Sequence, residues 1–223
     1  MDEPSLQQAL PAAPPSRQPT PIPDSARAAL RRATDAVHTR LHRLPALDCL
    51  ATGQIDRAAY RRLLARLWGF HRPIEHRLRA APWPTAALLM PQRRRAHLLH
   101  QDLRALGVAS AEIADLPRIS IDRLPALTDA ARFLGCLYVR EGATLGGRVL
   151  AAALDPLLGR ATLSGRRFLL GTSNDPALWR LLCEALETVE PNNRDGLIAG
   201  ASETFAALEA WLDLAPPTGN PVI

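Results

Sequence analysis

The sequence predicts an all-α fold, a single-domain bundle of helices. Apolar residues recur three and four positions apart in six segments, the spacing that gathers them on one face of a helix. Only residues 118–122 (RISID) alternate like a strand, and one isolated strand builds no sheet. The 223-residue chain is 47% apolar, enough for one buried core.

Each element follows in chain order. Residues 1–24 hold prolines at 4, 11, 14, 15, 19, 21 and 23, so a disordered tail is expected there. Asp24 and Ser25 offer an N-cap for a helix over 25–44 that carries Leu30, Ala33, Val37, Leu41 and Leu44. A second long helix starts near Asp56 with Tyr60, Leu63, Leu64, Leu67, Trp68 and Phe70, and Pro73 predicts a kink or a break in it. Residues 91–106 form a third helix, with a basic face of Arg93, Arg94, Arg95 and Arg104. Residues 124–154 read as one long helix or two abutting ones. Asp175-Pro176 sets a proline at the start of a helix reaching about 189, and 194–214 is the last. The helical domain is therefore 25–214, followed by a Pro-rich tail over 215–223. Trp68, Trp83, Trp179 and Trp211 are expected as core or interface anchors.

Composition narrows the function. Basic residues number 27 against 22 acidic, for a net charge of +5, and every basic residue is arginine. The two cations serve equally well on most surfaces, so codon usage is explanation enough for that bias. The balance favours an anionic ligand. Nucleic acid is disfavoured, because acidic residues interleave the helices and only 4% of residues are aromatic. The run 93–95 is expected as a solvated basic face or a docking surface for an acidic electron donor. Three cysteines without a CxxC pair argue against a disulfide framework. No apolar run approaches the ~20 residues of a membrane span, and the N-terminus has no signal-peptide pattern. A cytoplasmic protein is the expectation.

Two segments place polar or glycine residues unusually. On the helix over 25–44, Arg31 and His38 share a face, seven residues apart, with Thr34 and His42 flanking the stripe. An imidazole at the edge of an apolar stripe, with a guanidinium two turns away, suits a flat amphipathic ligand with carboxylates. The plainer reading is a surface or hydrogen-bonded histidine. No HExxH or comparable multi-ligand spacing is present, so a structural or catalytic zinc site is not expected. His71, His76, His97 and His100 receive no role. In the second segment, Gly142, Gly146 and Gly147 interrupt an otherwise strongly helical stretch, at about 1 kcal/mol each relative to alanine. They permit close helix packing, a helix boundary, or a planar ligand lying on bare backbone. Taken alone, close packing ranks first. Phosphate-loop spacings are absent.

Together, LRRATDAVHTRL and, about a hundred residues on, LYVREGATLGGRVL resemble the paired signatures of heme oxygenases. The biliverdin-forming bacterial branch associated with bacteriophytochromes is the most similar, over roughly 26–212. The resemblance implies a helical bundle with haem held between a proximal and a distal helix. It makes His38 the proximal iron ligand and places Gly142, Gly146 and Gly147 on the distal helix. Arg31, Thr34 and Arg180 fall at haem-binding positions. It further implies O₂ as co-substrate, electrons from a ferredoxin- or flavodoxin-type donor, and biliverdin, CO and ferrous iron as products, with a bacteriophytochrome as a receiver of the biliverdin. One position departs from the pattern: relatives carry a polar residue after the first distal glycine, and here it is Ala143. A water held by Thr144, Arg140 or backbone would have to replace that side chain. A haem-binding or haem-delivery protein with little turnover is the alternative that Ala143 permits.

Overall fold

The computed structural model describes residues 25–90, 93–160 and 162–213, so both expected tails (1–24 and 215–223) lie outside the described residues. Eleven α-helices make up the described chain: α1 (Ala26–His42), α2 (Pro45–Ala51), α3 (Arg57–Arg79), α4 (Pro84–Leu89), α5 (Ala96–Ala105), α6 (Ser110–Asp115), α7 (Ala130–Ala152), α8 (Asp155–Leu158), α9 (Arg167–Leu170), α10 (Asp175–Glu187) and α11 (Arg194–Asp213). Two 3₁₀ turns, Ile121–Arg123 and Pro191–Asn193, complete it, and no strand occurs among the described residues. None of these helices is long and apolar enough to cross a membrane.

The helix starts are where side-chain oxygens can take orphan N–H groups. Ser25 Oγ accepts from Ala28 N at 3.1 Å, Asp56 from Ala59 N at 2.7 Å, and Asp129 from Arg132 N at 2.8 Å. The start of α1 has a second cap from far away: the Glu187 carboxylate accepts from Ala26 N and Arg27 N at 3.0 and 3.3 Å. The end of α10 is thereby fastened to the beginning of α1.

α7 and α11 form the central pair. Gly135 and Gly200 let them touch, since a Cβ at either would collide with backbone of the other helix, Leu197 O and Arg132 O respectively. α11 also packs along α1, and α10 packs on both α1 and α7. One apolar cluster (Leu30, Phe133, Leu137, Leu182, Phe205 and neighbours) fills this half. A second, built on Leu64, Leu99, Leu103 and Phe168, fills the half made by α2, α3, α5 and α9. Trp68 and Trp211 are buried core anchors, and Trp83 and Trp179 are half-buried.

Three expectations change. Pro73 does not break α3, which continues to Arg79. Proline has no N–H for the carbonyl four residues back, and that carbonyl, Gly69 O, accepts instead from Ile119 N at 3.1 Å. The strand-like segment 118–122 is the donor of that bond, lying over α3 where Gly69 has no side chain to obstruct Pro117. Finally, residues 93–95 precede α5 and form no basic face. Arg93 and Arg95 are 1% and 2% exposed, and only Arg94 faces solvent.

Candidate functional site

On α1 the core takes Ala26, Leu30 and Thr34, with Val37 and Leu41 half-buried beside them. His38 falls at the edge of this stripe and is exposed, its ring meeting Phe205 of α11 edge-on at 6.1 Å between centroids. Partial burial, then the neighbouring His42, hold the imidazole below its ordinary pKa. Its ground state near pH 7 is therefore neutral, the form that ligates a metal. His42 Nε2 stands 3.3 Å from His38 Nε2. Arg31 is exposed about one turn from Arg27, whose Nη1 donates to Cys183 Sγ of α10 at 3.5 Å. Thr34 is the other haem-binding position expected on α1. It is buried, and its hydroxyl donates to Leu30 O at 2.8 Å within its own helix.

The glycine segment of α7 divides. At ~100° per residue, Tyr138, Gly142, Leu145, Gly146 and Val149 fall within one stripe about 100° wide. A Cβ on Gly146 would meet nothing within 4 Å, and one on Gly142 nothing nearer than the Trp179 ring at 3.8 Å. No helix presses on either. Leu145 and Val149, in the same stripe, are 56% and 75% exposed although both are large and apolar. Gly147 is turned elsewhere. It is buried, and a Cβ there would strike the carbonyl of Leu169 in α9. Close packing therefore accounts for Gly147, and leaves Gly142 and Gly146 unexplained by packing.

Tyr138 joins this stripe to α1 and α10. Its ring meets Trp179 at 5.7 Å, burial raises its phenol, and the cationic Arg31 and Arg27 pull it the other way. Arg180, next to Trp179, is exposed on α10. The result is an apolar strip on α7 beside Tyr138 and Trp179, with the Arg31 and Arg27 guanidiniums of α1 near Tyr138.

Immediately before Gly142 the helix is pinned by a buried ionic node. Arg140 and Glu141 are 3% and 2% exposed. Glu141 Oε2 lies 3.3 Å from Arg93 Nη1 and 3.4 Å from Arg95 Nη2, and Arg95 Nη1 reaches Asp175 at 3.1 Å. Arg140 Nη2 donates to Arg93 O at 2.6 Å and to Glu75 at 3.2 Å. Glu75 Oε2 also accepts from the backbone of Arg95 and Ala96, capping α5. Arg93 further donates to Leu89 O and Leu178 O. Three guanidiniums meet three carboxylates, so the node is neutral as a whole, the condition under which burial of charge is tolerable. These positions need arginine. Its planar fork serves a carboxylate and backbone carbonyls together, which a lysine ammonium cannot do from one point. Arg166 does the same at the other end of α7, donating to Ala151 O, Asp155 and Gly159 O.

His71, left without a role above, packs beside this node. It is buried, and desolvation, then Arg140 and Arg95, push its pKa far down, so it is neutral. The available signal was its position four residues before Glu75 on the buried face of α3. The expected stand-ins for a polar residue at 143 are also constrained. Thr144 donates its hydroxyl to Glu141 O at 2.7 Å, and Arg140 sits in the node.

Comparison with known proteins agrees with this architecture. A family model described as heme oxygenase matches residues 24–213. A relative named heme oxygenase, from Xanthomonas campestris pv. campestris (strain 8004), is 34% identical over 178 residues, covering 74% of this chain and 96% of its own. Among solved structures, heme oxygenase from Leptospira interrogans superposes with a TM-score of 0.71 at 17% identity, covering 85% of this chain and 99% of that one. Heme oxygenase-1 from the cyanobacterium Synechocystis sp. PCC6803, solved in complex with heme, gives 0.69 at 17% identity over 85% and 91%. The Neisseria meningitidis heme oxygenase gives 0.61 at 23% over 87% and 95%.

Proposed function

The chain belongs to the heme oxygenase family, and from that premise we propose that it opens the haem ring to biliverdin, CO and ferrous iron. Two separate observations carry the reading: an exposed imidazole on α1 held below its ordinary pKa, and, on α7, glycines that no neighbouring backbone requires, Gly146 open and Gly142 with only the Trp179 ring near it. The residues fit haem. Leu145 and Val149 leave large apolar surface uncovered beside the open glycines, which a porphyrin face would bury. When bound, haem supplies both the ring to be oxidised and the iron at which O₂ is reduced.

The chain's own residues bind, orient and enclose. His38 Nε2 would hold the iron, at the cost of its contact with His42. Gly142 and Gly146 would let the ring lie against the main chain of α7. Arg31 and Arg180 are the cations for the propionates, and guanidinium forks pair carboxylates bidentately. Thr34 contributes wall rather than a donor, and Gly147 acts indirectly, by letting α7 settle on α9. Arg140 is committed to the buried node and Thr144 to its own helix, so a water held by backbone groups is the remaining stand-in for the polar side chain that Ala143 lacks. An external donor of ferredoxin or flavodoxin type and a bacteriophytochrome receiver are the partners this reading implies. The unpaired Cys49, Cys136 and Cys183 suit the cytoplasm. A haem-delivery role is not favoured.

Hemin titration of the wild type and His38→Ala tests the assignment. The wild type is expected to give the Soret band of histidine-ligated haem and, with ascorbate or reduced ferredoxin, a biliverdin spectrum. His38→Ala should lose or shift the band and form no biliverdin. An unchanged spectrum in the variant removes His38 as ligand, and absence of biliverdin from the wild type removes the enzymatic reading.

A further inference from the structure

Histidines at i and i+4 on a helix place both rings on one face, and His38 and His42 do so on an exposed part of α1. Their rings meet at 67° with centroids 4.6 Å apart, and the two Nε2 atoms converge to 3.3 Å. Two imidazole nitrogens bound at ~2.05 Å to one tetrahedral ion stand about 3.3 Å apart. The pair already has the spacing of two ligands sharing a cation. Without metal, the same contact is an N–H···N hydrogen bond, in which one ring donates and the other offers a bare lone pair. Haem ligation needs only one of these rings and leaves His42 without a task.

We propose that His38 and His42 form a two-nitrogen chelate for a borderline-soft divalent cation such as Zn²⁺, and that this cation and haem exclude one another. The exclusion rests on His38 being the haem ligand, while the chelate does not. Its physical basis is simple: the His38 Nε2 lone pair can be given to one metal at a time. Among the described residues no group of three or more histidine, cysteine or carboxylate side chains could hold a metal. Water therefore completes the coordination and binding is reversible. Apo protein exposed to free Zn²⁺ is thereby slowed in loading haem, without any change of fold.

The test uses the full, untagged chain. Zn²⁺ is titrated in competition with a chromophoric chelator, and one ion per chain is expected. His38→Ala and His42→Ala should each weaken binding at least tenfold, and His97→Ala on α5 should not. His42→Gln should repeat the loss with an unaltered melting curve, separating ligand removal from misfolding. Saturating Zn²⁺ should raise the apparent hemin Kd of the wild type at least tenfold and that of His42→Ala less than twofold. Zn²⁺ affinity untouched by His42→Ala overturns the chelate and leaves the haem reading standing. Zn²⁺ binding lost in both variants, with hemin binding indifferent to Zn²⁺, overturns the exclusion. If His38→Ala then also keeps the wild-type Soret band, it is the haem assignment that has failed.

Discussion

Gly135 and Gly147 lie under other parts of the chain, whereas on the same helix Gly146 faces open space and Gly142 has only the Trp179 ring near it. The first pair lets α7 sink onto α11 and α9, and a methyl group there would meet fixed backbone. The second pair gives up helix propensity without any neighbouring backbone that needs the missing side chain. An unrewarded glycine in a helix interior is informative because its cost is intrinsic, so its compensation must come from something outside the folded chain. Between Gly135 and Gly142, Arg140 and Glu141 fasten the helix to α3, to the chain entering α5 and, through Arg95, to α10. The stripe with Gly142 and Gly146 is thus held from both sides, by this node and by Gly147.

Three substitutions probe that contrast. The largest effect is expected from Glu141→Gln, which leaves Arg93, Arg95 and Arg140 in the interior one carboxylate short. Removing one partner of a buried ion group typically destabilises by about 3–5 kcal/mol. Denaturant unfolding should register that loss, and a change under ~1 kcal/mol would show that the node does not pin α7. Gly147→Ala comes next. Overpacking against the Leu169 carbonyl should destabilise by ~1–3 kcal/mol, a fall of roughly 2–12 °C in Tm for a chain of this size. Gly146→Ala has the opposite sign and the smallest size. With nothing to strike, the new methyl should stabilise the apo protein by up to about 1 kcal/mol while weakening hemin binding several-fold. A stabilised variant with undiminished hemin affinity would break the contrast, because position 146 would then need no bare backbone.

The same division separates what could be read from the sequence. Helix starts at Ser25 and Asp56 depend on residues a turn away, and the edge position of His38 follows from periodicity alone. Both are local facts. The burial of Arg93 and Arg95 is not local, since their carboxylates come from Glu75, Glu141 and Asp175 on three other helices. A run of arginines reads as a wet surface until those partners are placed. His71 stayed silent for the same reason, with Arg140 and Arg95 as its neighbours. Glycine counting found the odd segment of α7, but only the position of Leu169 distinguishes Gly147 from Gly146. Trp179 is legible as an anchor, but its meeting with Tyr138 is not, because it requires α7 and α10 to be adjacent.

The bond from Ile119 to the carbonyl that Pro73 leaves bare has a consequence for assembly. A helix normally completes its ladder from its own residues, so it can form early and alone. α3 instead waits for a rung delivered by a stretch of chain made after α6. Its C-terminal half, which carries Glu75, gains full support only once that later stretch has docked. Nascent chains truncated before residue 119 should therefore lack a firm anchor for α5.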